Sequence, residues 1–316
     1  MMKINIDRRQ VLGGFGAFGF AALAGSGCAS RLYTPQVRRI RSSASDGVEL
    51  AVYETGDPRG RPVIFIHGFA QSHESWTAQT QGPSQLSGLR LISFDLRGHG
   101  DSEKPLAKEA YHDPVRWAHD LRSVMQATGA NKPCIVAWSY GGCVINDYLQ
   151  TFGDSDIGSI NCVAATSTAQ RFGLGSDYSL IGGMLSDDPV AAAKATEVFL
   201  RACFEKQPTA AQLKEMERFN ALTPVAVRKF LAGRPADYDE ALRRVKVPVL
   251  VTHGENDRIS ALAMSQYTLS LVSGSKLSLY KGAGHGTFFE DPNRFNAELL
   301  ALAGSGARRP GWPSRT

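Results

Sequence analysis

The sequence predicts an α/β fold: a mostly parallel central sheet with helices on both faces and an inserted helical segment. Three observations carry that expectation. Short unbroken apolar runs recur along the chain, the pattern a strand buried on both faces requires. Stretches of helical periodicity fall between them, which implies parallel βαβ units. The alternation then stops for roughly seventy residues, too many for a simple connection.

The elements follow in order. Residues 39–55 read as a β-hairpin turning at Ser45-Asp46-Gly47, with Val48, Leu50 and Val52 alternating beyond the turn. Buried strands are expected at 62–66, 89–94, 134–138, 160–165, 247–252 and 276–280, and helices at 115–128, 141–152, 237–244, 261–272 and 294–303. The odd interval starts at Thr166. Its helical stretches at 190–204, 210–220 and 224–232 come without a strand pattern. It is read as a helical cap over about 166–236, inserted after the fourth buried strand and lying over the strand ends. The folded domain is expected over 38–303, and the Gly-, Pro-, Ser- and Arg-rich residues 304–316 form a disordered tail.

With 316 residues, 43% hydrophobic and 21% charged, the chain has a globular composition and ample length for one large core. Its net charge of +5 sits at the ends: residues 1–41 carry +6, residues 302–316 carry +3, and 42–301 is −4. Nucleic acid is excluded as a partner, because a binding groove needs positive charge clustered on the folded body. Residues 1–29 read as an export signal. Arg8-Arg9-Gln10-Val11-Leu12 resembles a twin-arginine motif, and the apolar run 11–24 has signal-peptide length, short of a membrane span. The stretch Leu23-Ala24-Gly25-Ser26-Gly27-Cys28 is a degenerate lipobox, with Gly25 where a large aliphatic residue belongs. Lipidation of Cys28, giving membrane attachment, and plain cleavage near 28–30 both stay open. The expected location is the periplasm or a membrane anchor, and the cytoplasm if the leader does not function. Of the remaining cysteines, Cys134, Cys143, Cys162 and Cys203, none has metal-ligand spacing; they are expected as buried structural thiols, with no metal site.

Cys134-Ile135-Val136-Ala137-Trp138-Ser139-Tyr140-Gly141-Gly142 is a strand, a serine between small residues at two before and two after, and then a helix. A nucleophile elbow needs that context, because side chains at the flanking positions would collide at so sharp a turn. The usual first glycine is Ala137, a departure of one methyl. The helix that follows aims its N-terminal amides where negative charge develops. In the chain order such sites use, an acid and a histidine follow the serine. His253-Gly254-Glu255-Asn256-Asp257 ends the fifth buried strand, and Gly282-Ala283-Gly284-His285-Gly286 follows the sixth. Both lie where side chains of an open α/β sheet converge on a crevice. Asp257 is expected to orient the imidazole, with Glu255 as the alternative acid, and His285 to move the Ser139 proton. His67, His99 and His253 read as turn-stabilising residues, Asp95 as a hydrogen-bonding scaffold, and His73, His112 and His119 as surface or loop histidines.

His67-Gly68-Phe69, Asp95 through Ser102, Ala137 through Gly142, His253 through Asp257, and Gly284-His285 with Glu290-Asp291-Pro292 together resemble the α/β-hydrolase superfamily over about residues 40–300. The chain is most similar to the non-haem chloroperoxidase and esterase branch, with Thr223-Pro224-Val225-Ala226-Val227-Arg228 adding to that likeness. The resemblance implies a cofactor-free Ser-His-Asp site under a helical cap, with the backbone N–H groups of Phe69 and Tyr140 as the oxyanion hole. The expected reaction is hydrolysis of a small-molecule carboxylic ester through an acyl-enzyme, in a modest apolar pocket lined by Trp76, Trp138 and Phe288 beside Phe69 and Tyr140. Perhydrolase or haloperoxidase-type chemistry and C–C bond or lactone hydrolysis would use the same triad, and a ligand receptor could use the same scaffold. Dehalogenases and epoxide hydrolases of this fold carry Asp at the nucleophile position, so Ser139 argues against both. The sequence carries no sign of the oligomeric state.

Overall fold

The computed structural model describes residues 36–81 and 84–305. The expected leader, with Cys28, and the tail residues 306–316 lie outside the described residues. Gly304 and Ser305 are helical, so the last helix runs two residues into the expected tail.

Eight strands form one sheet: β1 (Gln36–Arg41), β2 (Glu49–Gly56), β3 (Arg61–Ile66), β4 (Leu89–Phe94), β5 (Cys134–Trp138), β6 (Ser159–Val163), β7 (Val249–Gly254) and β8 (Lys276–Tyr280). Their spatial order is β1-β2-β4-β3-β5-β6-β7-β8. The β1–β2 hairpin and the β2–β4 pair are antiparallel, and every other pairing is parallel. The continuous apolar runs arise because both faces are covered. In β3, Ile64 and Ile66 join one core cluster while Val63 and Phe65 join the other, and in β5 Ile135 and Ala137 oppose Val136 and Trp138 in the same way.

Two short helices, α1 (Thr77–Thr80) and α2 (Glu109–His112), precede α3 (Pro114–Thr128). The boundaries of α3 follow from its sequence. The Asp113 carboxylate accepts from the Val115 N–H at 3.0 Å, Pro114 occupies the first turn, and Gly129 ends the helix at φ +64°. Helix α4 (Gly141–Phe152) follows β5 and packs on α3. Between β6 and β7 the described chain holds α5 (Leu180–Gly183), α6 (Pro189–Ala202), α7 (Ala210–Ala221), α8 (Val225–Leu231) and α9 (Asp239–Arg243), with only isolated bridges at Thr168–Asp237 and Leu174–Ser260. The chain then runs through α10 (Leu262–Leu271), α11 (Thr287–Glu290) and α12 (Pro292–Ser305). No helix among the described residues is long and apolar enough to cross a membrane.

Three strands differ from expectation by two residues or more, the first being β1, which starts at Gln36, ahead of the expected hairpin and domain start. β6 stops at Val163 because Ala164 turns into the left-handed region at φ +43°. β7 starts two residues late, since Pro248 has no N–H to give, and extends to Gly254, which pairs with Tyr280. His253 therefore lies inside the strand. Cys134, Cys143, Cys162 and Cys203 are all free and buried. Burial pushes the Cys134 and Cys162 thiols up to about 12 and that of Cys143 up to about 11.

Candidate active site

β3 and β5 are neighbours, with Ile66 opposite Ala137, so the loops leaving their C-terminal ends lie side by side. The β5 loop carries Ser139 at φ +53°, a left-handed conformation that costs a non-glycine residue about 1–3 kcal/mol and marks a sharp, over-determined turn. Its backbone is pinned on both sides: the Ser139 N–H donates to Val163 O at 3.0 Å, and its carbonyl accepts from Gly142 N at 2.8 Å and Thr166 N at 2.9 Å. The first turn of α4 passes so close to its neighbours that side chains do not fit. A Cβ on Gly141 would lie 2.8 Å from Ile66 O, and one on Gly142 would lie 2.6 Å from the Thr166 backbone. The strand before Ser139 is buried, whereas Ser139 and Tyr140 are only half-buried, so the serine is the first accessible position after the strand.

The loop after β3 comes within contact of the serine, since a Cβ on Gly68 would lie 3.3 Å from Ser139 Cβ. Among the described residues, neither the Phe69 N–H nor the Tyr140 N–H donates to another group. Two backbone donors, one in each of these adjoining loops, are thus left without an acceptor among the described residues. This loop is held by a reciprocal pair of histidines. His67 Nε2 accepts from Leu96 N at 3.0 Å while its Nδ1–H donates to Gly68 O at 2.9 Å. His99 Nε2 accepts from Ala70 N at 3.2 Å while its Nδ1–H donates to Arg97 O at 2.9 Å. Protonating either Nε2 would set two donors against each other. Burial already disfavours the charge, and it lowers His67 to about 4 and His99 to about 3. Both are the turn-stabilising residues the sequence suggests. Asp95 is the expected scaffold: its buried carboxylate accepts from the N–H groups of His73 and Asp101, each at 2.7 Å. His73 is more than a surface histidine. Its ring stacks on Tyr53 at 3.4 Å and its Nδ1–H donates to Asp95 at 2.9 Å, because a buried carboxylate needs donors.

Asp257 follows β7 and His285 follows β8, and the structure brings them together: His285 Nδ1–H donates to Asp257 Oδ2 at 2.7 Å. The other carboxylate oxygen, Oδ1, accepts from Ile259 N at 2.8 Å and Ser260 N at 2.9 Å. Burial opposes ionisation of Asp257, but the adjacent His285, then His253 and the Ser260 N–H, outweigh it and hold the carboxyl below its ordinary value. Glu255, the alternative acid, is exposed and lies against Gly282 N at 3.4 Å. His253 spends its ring on Ser265 Oγ at 2.8 Å and Ser260 O at 3.0 Å, which shapes the Asp257 turn. The histidine loop adjoins the serine strand directly, with Trp138 Nε1–H donating to His285 O at 3.0 Å and the two rings 5.5 Å apart. Among the described residues no hydrogen bond joins the Ser139 hydroxyl to the imidazole. Such contacts are commonly longer in unliganded sites than in reacting complexes.

The aromatic pocket expected from Trp76, Trp138 and Phe288 needs correction. These residues are 0–3% exposed and pack against one another and Phe65 and Phe295 in the core cluster on the α12 face of the sheet. Alternation along β5 sends Trp138 to the face opposite Ala137, so these rings back the imidazole from within the core. A second buried group escaped the sequence reading. Beside the Tyr140 ring, Arg234 pairs with Asp147 of α4, Tyr238 donates to Asp147 at 3.1 Å, and the guanidinium lies 5.0 Å from the Trp117 ring centre. No group of His, Cys, Asp or Glu among the described residues has the makings of a metal site.

Comparison with known proteins agrees with this architecture. The family profile described as alpha/beta hydrolase fold matches residues 61–292. The crystal structure of the esterase RhEst1 from Rhodococcus sp. ECU1013 is 33% identical, with a TM-score of 0.78, covering 85% of this chain and 98% of that one. The bifunctional esterase/perhydrolase DCH of Acinetobacter calcoaceticus is 27% identical over 279 residues, 82% of this chain and 98% of that protein. The non-heme chloroperoxidase CPO-A1 of Kitasatospora aureofaciens is 26% identical over 269 residues, 81% of this chain and 96% of that protein. The chain belongs to the α/β-hydrolase family, in its non-haem chloroperoxidase and esterase branch, and is a hydrolase.

Proposed function

We propose that the chain hydrolyses carboxylic esters of small molecules through an acyl-enzyme on Ser139. The observation that carries this reading is the 2.7 Å Asp257–His285 hydrogen bond, made at the same sheet edge as a serine held at φ +53°. Because Nδ1 carries the hydrogen donated to Asp257, Nε2 is left as the basic nitrogen. In this mechanism Ser139 Oγ attacks the ester carbonyl and its proton passes to His285 Nε2. The Phe69 and Tyr140 N–H groups hold the oxyanion. The C–O bond breaks and the leaving alkoxide takes the proton. Water then attacks the acyl-serine and gives its proton to His285. The acid departs and the serine hydroxyl is restored. The helices between β6 and β7 act as the cap that shields the acyl group. Export directed by residues 1–29, with or without lipid on Cys28, belongs to the same proposal.

Ser139→Ala is expected to abolish turnover of short p-nitrophenyl esters and covalent labelling by a fluorophosphonate. Full activity in that variant would overturn the mechanism. A second reading is favoured by the relative named esterase/perhydrolase. In it hydrogen peroxide replaces water at deacylation and the product is a peracid. Measuring peracid against acid at equal acyl-enzyme flux separates the two.

A further inference from the structure

Glu290 ends α11 and is 9% exposed, with no cation beside it among the described residues. Its carboxylate is occupied by backbone donors from two segments, one six residues before it and one more than eighty. Oε1 accepts from Gly284 N at 2.8 Å, immediately before His285. Oε2 accepts from Lys206 N at 2.7 Å and Glu205 N at 3.1 Å, in the turn between α6 and α7. The same turn meets the histidine loop a second time, since Cys203 O accepts from His285 N at 2.8 Å and from Gly286 N at 3.2 Å. A third contact is steric. A Cβ on Gly286 would lie 2.3 Å from the Phe204 ring, and that ring packs on Phe289 at 4.8 Å. The His285 peptide is therefore gripped from two directions: its N–H by the helical insertion, and its carbonyl by Trp138 of the serine strand.

We propose that Glu290 is a positioning residue for His285: it hooks the 203–206 turn of the insertion onto the 284–286 loop, so the insertion forms half of the mount that places the imidazole over Ser139. This rests on the reading of His285 as the general base. The insertion then cannot lift away as a free lid without displacing the base, and whatever motion admits substrate must lie in its other parts.

Glu290→Gln tests this, because the amide turns one acceptor into a donor facing an N–H. On a short p-nitrophenyl ester kcat is expected to fall about 10–100-fold, as misplacement of a reacting group does. KM should stay within about twofold, since substrate binding is not the interaction removed. Fluorophosphonate labelling of Ser139 should slow in parallel, and Glu290→Asp, which keeps both acceptors, should recover part of the rate. If Glu290→Gln does not fold, Phe204→Ala cuts the steric contact with the hook intact, and the same split in kcat and KM is expected. A lowered Tm with wild-type kcat and labelling in the folded protein, or a change in KM alone, overturns the proposal. Ser139→Ala, run alongside, separates the two ideas. Its activity surviving would sink the acyl-enzyme reading, whereas an inactive Ser139→Ala with a fully active Glu290→Gln sinks only the positioning role.

Discussion

In the proposed mechanism the loop after β3 and the loop after β8 present the two halves of the chemistry to Ser139, and they are mounted in different ways. The first, carrying the Phe69 N–H, is held by near neighbours in the sheet. His67 and His99 exchange bonds between the ends of β3 and β4, adjacent parallel strands. The second, carrying His285, is held by a segment reached only after the chain has left the sheet, with Glu290 and the Glu205 N–H separated by 85 positions. The first mount is an intrinsic part of the sheet edge and depends on two imidazoles staying neutral. The second depends on the helical insertion being docked. The oxyanion donors should therefore survive disturbance of the insertion, and the base should not.

Adding bulk at the second mount should break this contrast most visibly. Gly286→Val forces a side chain into Phe204, and it is expected to lower kcat/KM on a short p-nitrophenyl ester about 100-fold, equivalent to about 3 kcal/mol. The double variant with Phe204→Ala should regain only part of that loss, as the valine fills some of the space the ring leaves. A Gly286→Val enzyme of normal activity would show that the insertion does not hold the base.

The first mount should answer to acid. A histidine whose pKa is lowered on folding takes up a proton more readily when unfolded, so its contribution to stability is lost as pH falls from the unfolded value of 6.5 toward the folded one, about 4 for His67 and about 3 for His99. Between pH 6.5 and 5 each should cost about 2 kcal/mol. Urea titrations at the two pH values should show His99→Leu losing about 2 kcal/mol less than the wild type over that interval. At pH 7 the same variant should be the less stable protein, since the buried Ala70 N–H is left without its acceptor. An unchanged pH dependence would remove the histidines from the account.

The smallest effect is expected at the elbow itself. Ala137→Gly, which restores the usual small residue of this turn, should cost about 1 kcal/mol of stability by removing a buried methyl from a strand and leave kcat within about twofold. A large gain in kcat would mean that the methyl had been straining Ser139.

Much of this arrangement is legible in the sequence, for a local reason. A strand buried on both faces writes an unbroken apolar run, so residues 62–66, 89–94 and 134–138 announce β3, β4 and β5 almost to the residue. The elbow is legible because its steric demands fall on adjacent positions, and the small residues at Gly141 and Gly142 answer backbone atoms nearby in space. What the sequence hides is set by partners far along the chain. The extension of β7 to Gly254 comes from pairing with β8. Trp76, Trp138 and Phe288 read as pocket aromatics until strand alternation turns Trp138 into the core and the helical Trp76 and Phe288 pack against it there. Glu290 looks like an ordinary acid before a proline, and no spacing betrays that its oxygens face Gly284 and Lys206. Arg234 and Asp147 are hidden in the same way, as buried charges whose compensation is visible only when α4 and the end of the insertion meet.

The four buried thiols of the described chain make these two mounts observable without any added label. Alkylating reagents need an ionised, accessible sulfur, and burial denies both in the native state. Cys134 and Cys162 lie on adjacent central strands, so they react only when the sheet itself comes apart. Cys203, whose own carbonyl grips the His285 loop, becomes reactive as soon as the turn it belongs to undocks. The time at which each sulfur is modified therefore dates two separate openings of the same molecule, one of the whole fold and one of the seat of its histidine.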